Sequence, residues 1–124
     1  MPDEEQMLYR QVHPSWVQDG RITSQAFIPM PKDAGMLSVY DGLKILAEPS
    51  FIHYTAVQML ASHGTVSVTA DEVEVVGLSW RPDPEPFPEH AVIDFTGLPT
   101  TGKVKAKAQA LAERARNRGW TYTP

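Results

Sequence analysis

Arg10, His13, Arg21, Ser24, His53 and His90 are the side chains whose types could do chemistry together, and they stand in otherwise apolar segments. Arg10 alternates with Tyr9 and Gln11 in a strand-like run, so it points to one face only. His13 follows three residues later. An arginine of this kind with a nearby histidine can bind a phosphate or a nucleotide through charge-assisted hydrogen bonds. The plainer role is an ion pair at a sheet edge, worth little, beside a histidine that satisfies a turn. Ser24 is the candidate nucleophile, and a serine nucleophile needs a base within reach and a third group to orient that base. The four histidines supply partners on paper, but the Gly-x-Ser-x-Gly elbow is absent. His53 and His90 complete the candidate catalytic set as general acid–base groups, with capping or interface duty as the alternative. No His-x-x-x-His or His-Glu-x-x-His pattern occurs and there is no cysteine, so neither a metal nor another cofactor is expected.

Three further groups invite binding rather than bond-breaking. Glu72 and Glu74 would share one face if they lie in a strand, and paired carboxylates can raise each other's pKa. The segment Lys103 to Arg118 holds six basic residues and one glutamate, a net +5, against −9 for the remainder. Lys103, Lys107, Arg114 and Arg118 are the candidates for tracking phosphates, although Lys103, Lys105 and Lys107 fan around a helix instead of forming one stripe. Arg81 to Glu89 carries proline at every second position from 82 to 88. Phe87 and Arg81 in that extended loop are candidate anchors for a protein partner or a second copy; the alternative is that Phe87 folds back over the sheet.

The elements that must position these residues can be read in order. Residues 1–6 form a frayed tail. Alternation predicts a strand over Met7 to Val12, ended by Pro14, then a single turn over Ser15 to Val17. Asp19-Gly20 turns the chain into a second strand, Ile22 to Ile28. Met36 to Tyr40 is a third short strand. A helix opens at Pro49-Ser50, shows an apolar stripe of Phe51, Tyr54 and Leu60, and stops at His63-Gly64 with Gly64 as cap. Thr65 to Thr69 is β-branched and alternating, hence a strand. Asp71 to Val76 fits either a strand or a helical turn capped by Asp71. Arg81 to Glu89 is an extended surface loop, and Ala91 to Phe95 a short buried strand. Lys103 to Asn117 is the best helix, with Val104, Ala108, Leu111 and Ala115 on one stripe and Gly119 as its cap. Trp120 and Tyr122 return the chain to the body.

With 124 residues, 42% of them apolar and 21% charged, the chain is one domain able to bury its own core. The first residues, MPDEEQ, are acidic and lead into no apolar run, which argues against a signal peptide or membrane anchor. A cytoplasmic location is expected, with no membrane contact.

The order Arg10, Thr23-Ser24, Glu72-Val73-Glu74 resembles the arginine, serine and glutamate series of ADP-ribosyltransferases. That resemblance implies that Arg10 and Ser24 hold NAD and that Glu74 is catalytic. The chain has Thr23-Ser24-Gln25 where that family has Ser-Thr-Ser. Over most of its length it also resembles small uncharacterised bacterial proteins with an LYRQVHP…SQAF…LSVYDG…HYT layout, which implies no particular activity.

Taken together, these patterns predict an α+β domain: a mostly antiparallel sheet of four to six strands with two main helices packed on it. Two functions follow from the residues. One is a binding or accessory protein of antitoxin, immunity or defence type, associating with a protein partner or itself. The other is a small toxin-like enzyme acting on nucleotide, NAD or RNA through the Arg/His/Ser cluster.

Overall fold

The computed structural model describes residues 6–124, so the expected frayed tail lies, but for Gln6, outside the described residues. Five strands form one antiparallel sheet: β1 (Met7–Val12), β4 (Met36–Asp41), β5 (Gly64–Thr69), β6 (Ser79–Pro82) and β7 (His90–Asp94). They lie in the order β5-β1-β4-β7-β6. A separate two-stranded ribbon joins β2 (Val17–Gln18) to β3 (Arg21–Ile22). The helices are α1 (Ala47–Ile52), α2 (Ala70–Val75) and α3 (Thr101–Arg118). The α+β architecture is therefore as the patterning predicts. Among the described residues, no helix is long and apolar enough to cross a membrane.

The pairing register sorts the side chains onto two faces. Leu8 opposes Val68, Arg10 opposes Val66, Leu37 opposes Ile93 and Val39 opposes Ala91. These residues share one face with Val12. Apart from Arg10 they belong to one buried apolar cluster with Phe27 and with Ala108, Leu111, Ala112 and Ala115 of α3. The small alanines on that stripe let the helix approach the sheet closely. Thr100 caps its start by accepting from the Lys103 N–H, and Gly119 ends it at φ 87°. The other face carries Tyr9, Gln11, Ser38, Tyr40, Ser67 and His90. There α1 is held by a hydrogen bond from Gln11 Nε2 to Ser50 Oγ at 3.0 Å.

Several local expectations are corrected. Asp19-Gly20 does turn the chain, with φ of 54° and 77° at the two residues. That is the backbone a two-residue hairpin requires, and the turn pairs Val17–Gln18 with Arg21–Ile22 instead of opening a long strand. The expected strand Ile22 to Ile28 is a 3-10 turn over Ser24–Phe27, which lets Phe27 and Ala26 drop into the core beside α3. The helix expected to run to His63 stops earlier. After Ile52 it widens into a π turn, His53–Val57, and Met59 takes φ 59°, which no helix continues. Gly64 instead begins β5; a Cβ there would meet the Tyr122 carbonyl oxygen at 2.8 Å. Asp71 to Val76 resolves as helix, because Thr69 Oγ1 accepts from the Glu72 N–H and the Glu72 carboxylate accepts from the Thr69 N–H. Glu72 and Glu74 accordingly do not line one strand face. Arg81 lies in edge strand β6, and the proline-rich loop proper begins after Pro82.

Candidate functional site

The site begins with a break in the sheet. Strands β1 and β5 pair along six positions, whereas β1 and β4 pair only at Leu8–Asp41 and Tyr9–Tyr40. Beyond Tyr9 the two central strands part. In a continued ladder the Ser38 carbonyl would face β1; here it accepts from Arg10 Nη1 at 2.9 Å. Arg10 Nε donates to the Ala26 carbonyl at 2.8 Å, and the guanidinium lies 5.3 Å from the Trp16 ring centre. A cleft of about 390 Å³ opens at this parting. Residues from both sheet faces line it, Arg10 and Val39 from one, Gln11, Ser38, Tyr40 and His90 from the other. It therefore passes through the gap between the strands.

Arg10 is only 9% exposed. Among the described residues no salt bridge reaches it; the ion pairs are Arg81–Asp94, Arg118–Glu72 and the His90–Asp83 contact. Burial lowers its pKa, and the nearby Tyr54 and Asp33 oppose that effect. Among the described residues no buried side-chain nitrogen or oxygen lacks a hydrogen-bond partner. Among the described residues Nη2 of Arg10 has no such partner, and Arg10 lines the cleft. Burying a cation without a counter-ion is costly, and an anion entering the cleft relieves that cost.

Aromatic rings build the opposite wall. Phe87 stacks on Tyr40 at 5.3 Å between ring centres, with His53 at 4.5 Å and His90 at 5.2 Å. The proline loop delivers Phe87 by folding inward: the His90 N–H donates to the Phe87 carbonyl at 3.1 Å and Lys44 Nζ to the Pro88 carbonyl at 3.3 Å. The π turn supplies the next layer. Its wide ring lets the Gln58 N–H donate to the His53 carbonyl at 3.0 Å, so that residues five apart lie together. Both side chains then meet the Tyr40 hydroxyl, which accepts from Gln58 Nε2 at 2.9 Å and bonds His53 Nδ1 at 2.8 Å. Burial raises the Tyr40 pKa well above its ordinary value, against the lowering effect of the Gln58 bond. Tyr40 stays a neutral, oriented hydroxyl.

The candidates named from sequence divide between this cleft and the rest of the surface. Arg10, His13 and His90 line it, and His53 touches its Tyr40 and Phe87 wall. His13 also caps the turn at Pro14–Trp16, accepting at Nδ1 from the Ser15 N–H at 3.0 Å. Arg21 and Ser24 line a separate shallow depression with Gln109 and Arg116. Ser24 is therefore not brought to Arg10, and Glu74 is exposed on α2 and absent from the cleft wall. Phe87 is half-buried against the rings, the folded-back arrangement, and Arg81 pairs with Asp94 at 3.0 Å. On α3, Arg118 holds the Glu72 carboxylate with both terminal nitrogens at 3.0 Å, and Arg114 donates to the Ala110 carbonyl. Lys103 is exposed, while Lys107 is half-buried, with Nζ against Gly77. Trp16, Ser38, Tyr40, Tyr54 and Gln58 are wall residues that the sequence does not single out. The alternation that places Tyr40 and Ser38 on one face of a strand is legible; the parting of the strands beside them is not. Among the described residues no three His, Asp or Glu side chains cluster closely enough to hold a metal ion.

No family model, no curated protein and no solved structure matches the chain.

Proposed function

We propose that the protein binds small organic anions that carry a flat ring, with the charge at Arg10 and the ring against Phe87 and Tyr40. One observation carries this reading: a guanidinium nine-tenths buried lines the cleft, and among the described residues it has no carboxylate partner and no hydrogen bond at Nη2. A volume of about 390 Å³ lies within the range of small-molecule sites. It suits a one- or two-ring anion. Nucleotides and aryl carboxylates share the chemistry. The binding reading stands ahead of an enzyme built on the six-residue cluster, because Arg21 and Ser24 lie outside the cleft. Nucleic-acid tracking by α3 has less support, since Arg114 and Arg118 are engaged within the protein.

Calorimetric titration with benzoate and adenosine monophosphate, set against benzamide and adenosine, tests the proposal. Each anion should bind at least about tenfold more tightly than its uncharged counterpart, since a charge-assisted hydrogen bond is worth 1.5–3 kcal/mol. Arg10→Lys keeps the charge but replaces a planar fork, which reaches the Ala26 and Ser38 carbonyls through separate nitrogens, by a single nitrogen, and should weaken both anions by a similar factor. Benzamide binding as well as benzoate would sink the proposal. A preference between the two anions distinguishes an aryl acid from a nucleotide.

The protein-association reading, with its antitoxin, immunity or defence roles, has a separate observation in its favour. Leu43, Leu46, Ile52, Val57, Met59 and Leu60 are large apolar side chains exposed within one segment. Light scattering across a concentration series tests its self-association form, which an unchanging monomer removes.

A further inference from the structure

Serine chemistry requires a base; histidines lie at two serines other than Ser24, and His13 beside Ser15 already accepts at Nδ1 from the Ser15 N–H to cap a turn, which leaves the pair of Ser38 and His90. Ser38 is exposed on the cleft wall, and its Oγ stands 3.1 Å from Nε2 of the buried His90. The other ring nitrogen, Nδ1, lies 2.8 Å from the Asp83 carbonyl oxygen and 3.5 Å from that residue's carboxylate Oδ2. Both oxygens only accept hydrogen bonds, so Nδ1 carries the proton. In the neutral imidazole this leaves the lone pair on Nε2, and the Ser38 hydroxyl donates to it. That is the polarity a general base needs before it removes a proton from a nucleophile. Arg10 is tied to the same residue: Nη1 holds the Ser38 carbonyl, Arg10 lines the cleft, and among the described residues Nη2 has no hydrogen-bond partner. Nucleophile and oriented base thus meet on one wall, and the buried cation reaches the backbone of the same serine from the other sheet face, which together are parts an acyl-transfer site requires.

We propose that the protein hydrolyses small esters of aromatic carboxylic acids, with Ser38 as nucleophile, His90 as general base and Arg10 as the oxyanion's partner. The substrate class rests on the anion-binding reading above, since an aryl carboxylate is the acid such an ester releases. Ser38 Oγ attacks the ester carbonyl carbon while its proton passes to His90 Nε2. The carbonyl π electrons move onto oxygen, where Arg10 Nη2 meets the new charge. The Asp83 carbonyl and carboxylate stabilise the imidazolium through Nδ1–H. The carbonyl re-forms, the bond to the alkoxy oxygen breaks, and that oxygen takes the proton from Nε2 and leaves as alcohol. Water then attacks the acyl-Ser38 ester and gives a proton to Nε2. Collapse returns that proton to Ser38 Oγ, and the acid departs as carboxylate after losing its own proton to solvent. One ester and one water yield one alcohol, one carboxylate and one proton.

The full chain should be assayed with 4-nitrophenyl benzoate, following 4-nitrophenolate, and with a fluorophosphonate, following intact mass and peptide mapping. The wild type should turn over the ester and acquire one phosphonyl group on Ser38. Ser38→Ala touches an exposed side chain whose only hydrogen bond among the described residues is to His90, so its fold and benzoate affinity should persist. Its turnover should fall at least about 100-fold, the lower end of what a positioned base contributes, and its adduct should vanish. Ser24→Ala should keep both. Wild type that binds benzoate yet neither cleaves the ester nor labels at Ser38 overturns the catalytic proposal and leaves the binding reading intact. Turnover retained in Ser38→Ala overturns it equally. Failure to bind benzoate, with turnover that still depends on Ser38, would instead remove the binding reading alone.

Discussion

The two faces of the central sheet are built by different rules. On the α3 side, Leu8, Val12, Leu37, Val39, Val66, Val68, Ala91 and Ile93 meet small residues of one helix, and nearly every group is apolar. On the other side, Gln11 alone holds three hydroxyls: its amide donates to Ser50 and accepts from Ser62 and Thr65, each at 3.0 Å. Tyr40, His53, His90 and Phe87 then crowd a cleft that the packing does not fill. The apolar face is non-directional and gains by closing every gap. The polar face is directional, and once its bonds are satisfied it can leave a space open without collapse. The apolar core and the aromatic wall of the cleft are thereby built on opposite sides of one sheet, with Arg10 reaching the cleft from the core side.

Two phenylalanines test that separation most directly. Phe27 is fully buried on the α3 side, and Phe27→Ala should cost about 4 kcal/mol. Phe87 is half-buried, and Phe87→Ala should cost about 1–2 kcal/mol, the range for burying such a side chain only in part. It should also weaken anion binding. Equal losses in chemical denaturation would mean that the cleft wall is a second core. A smaller effect sharpens the contrast at the sheet's end. Thr69→Ala removes the cap of α2 and should cost about 1 kcal/mol by denaturation, with ligand affinity unchanged. A change in affinity would show that α2 and the cleft are coupled.

Acidification should give the smallest effect. Thr96 hydrogen bonds and then Arg81 hold the Asp94 carboxyl down at about 2. For Glu72, burial pushes upward, but Arg118 and the Thr69 N–H outweigh it and the pKa falls. Carboxyls lowered on folding stabilise the native state above their unfolded values near 4, and that contribution is lost as pH falls through the folded values. The melting temperature should therefore decline between about pH 4 and pH 2. Arg81→Ala should flatten part of that decline, and an unchanged acid limb in this variant would show that the Arg81–Asp94 pair contributes nothing.

What the sequence revealed differs between the faces for the same physical reason. Val104, Ala108, Leu111 and Ala115 recur at helical spacing, so the stripe that packs on the sheet is legible, as are the alternating strand Met7–Val12 and, from Thr65 onward, the strand that ends at Thr69. Thr69 followed by Glu72 is a readable capping box, yet the alternation of Glu-Val-Glu-Val-Val competes with it and hides the helix. The cleft depends on three non-local events: the parting of β1 from β4, the π widening at His53–Val57 and the inward fold of Phe87. None has a local periodicity. Arg10, His13, His53 and His90 could be named because their types are unusual in apolar segments. Ser38 could not, because a serine in an exposed strand position is ordinary until a histidine from β7 lies beside it.

The last residues have a further consequence. Strand β5 is an outer strand, and the chain's end runs along it: the Thr65 N–H donates to the Tyr122 carbonyl at 2.8 Å, and the Thr121 N–H returns to the Thr65 carbonyl at 2.9 Å. Tyr122 also packs on Phe51, and Trp120 Nε1 donates to the Gly20 carbonyl at 3.0 Å. An uncovered edge of this kind is a template for another chain's strand. The C-terminal residues thus act as a built-in guard against fibrous self-templating, and removing them would hand a β-branched, uncharged strand to its neighbours.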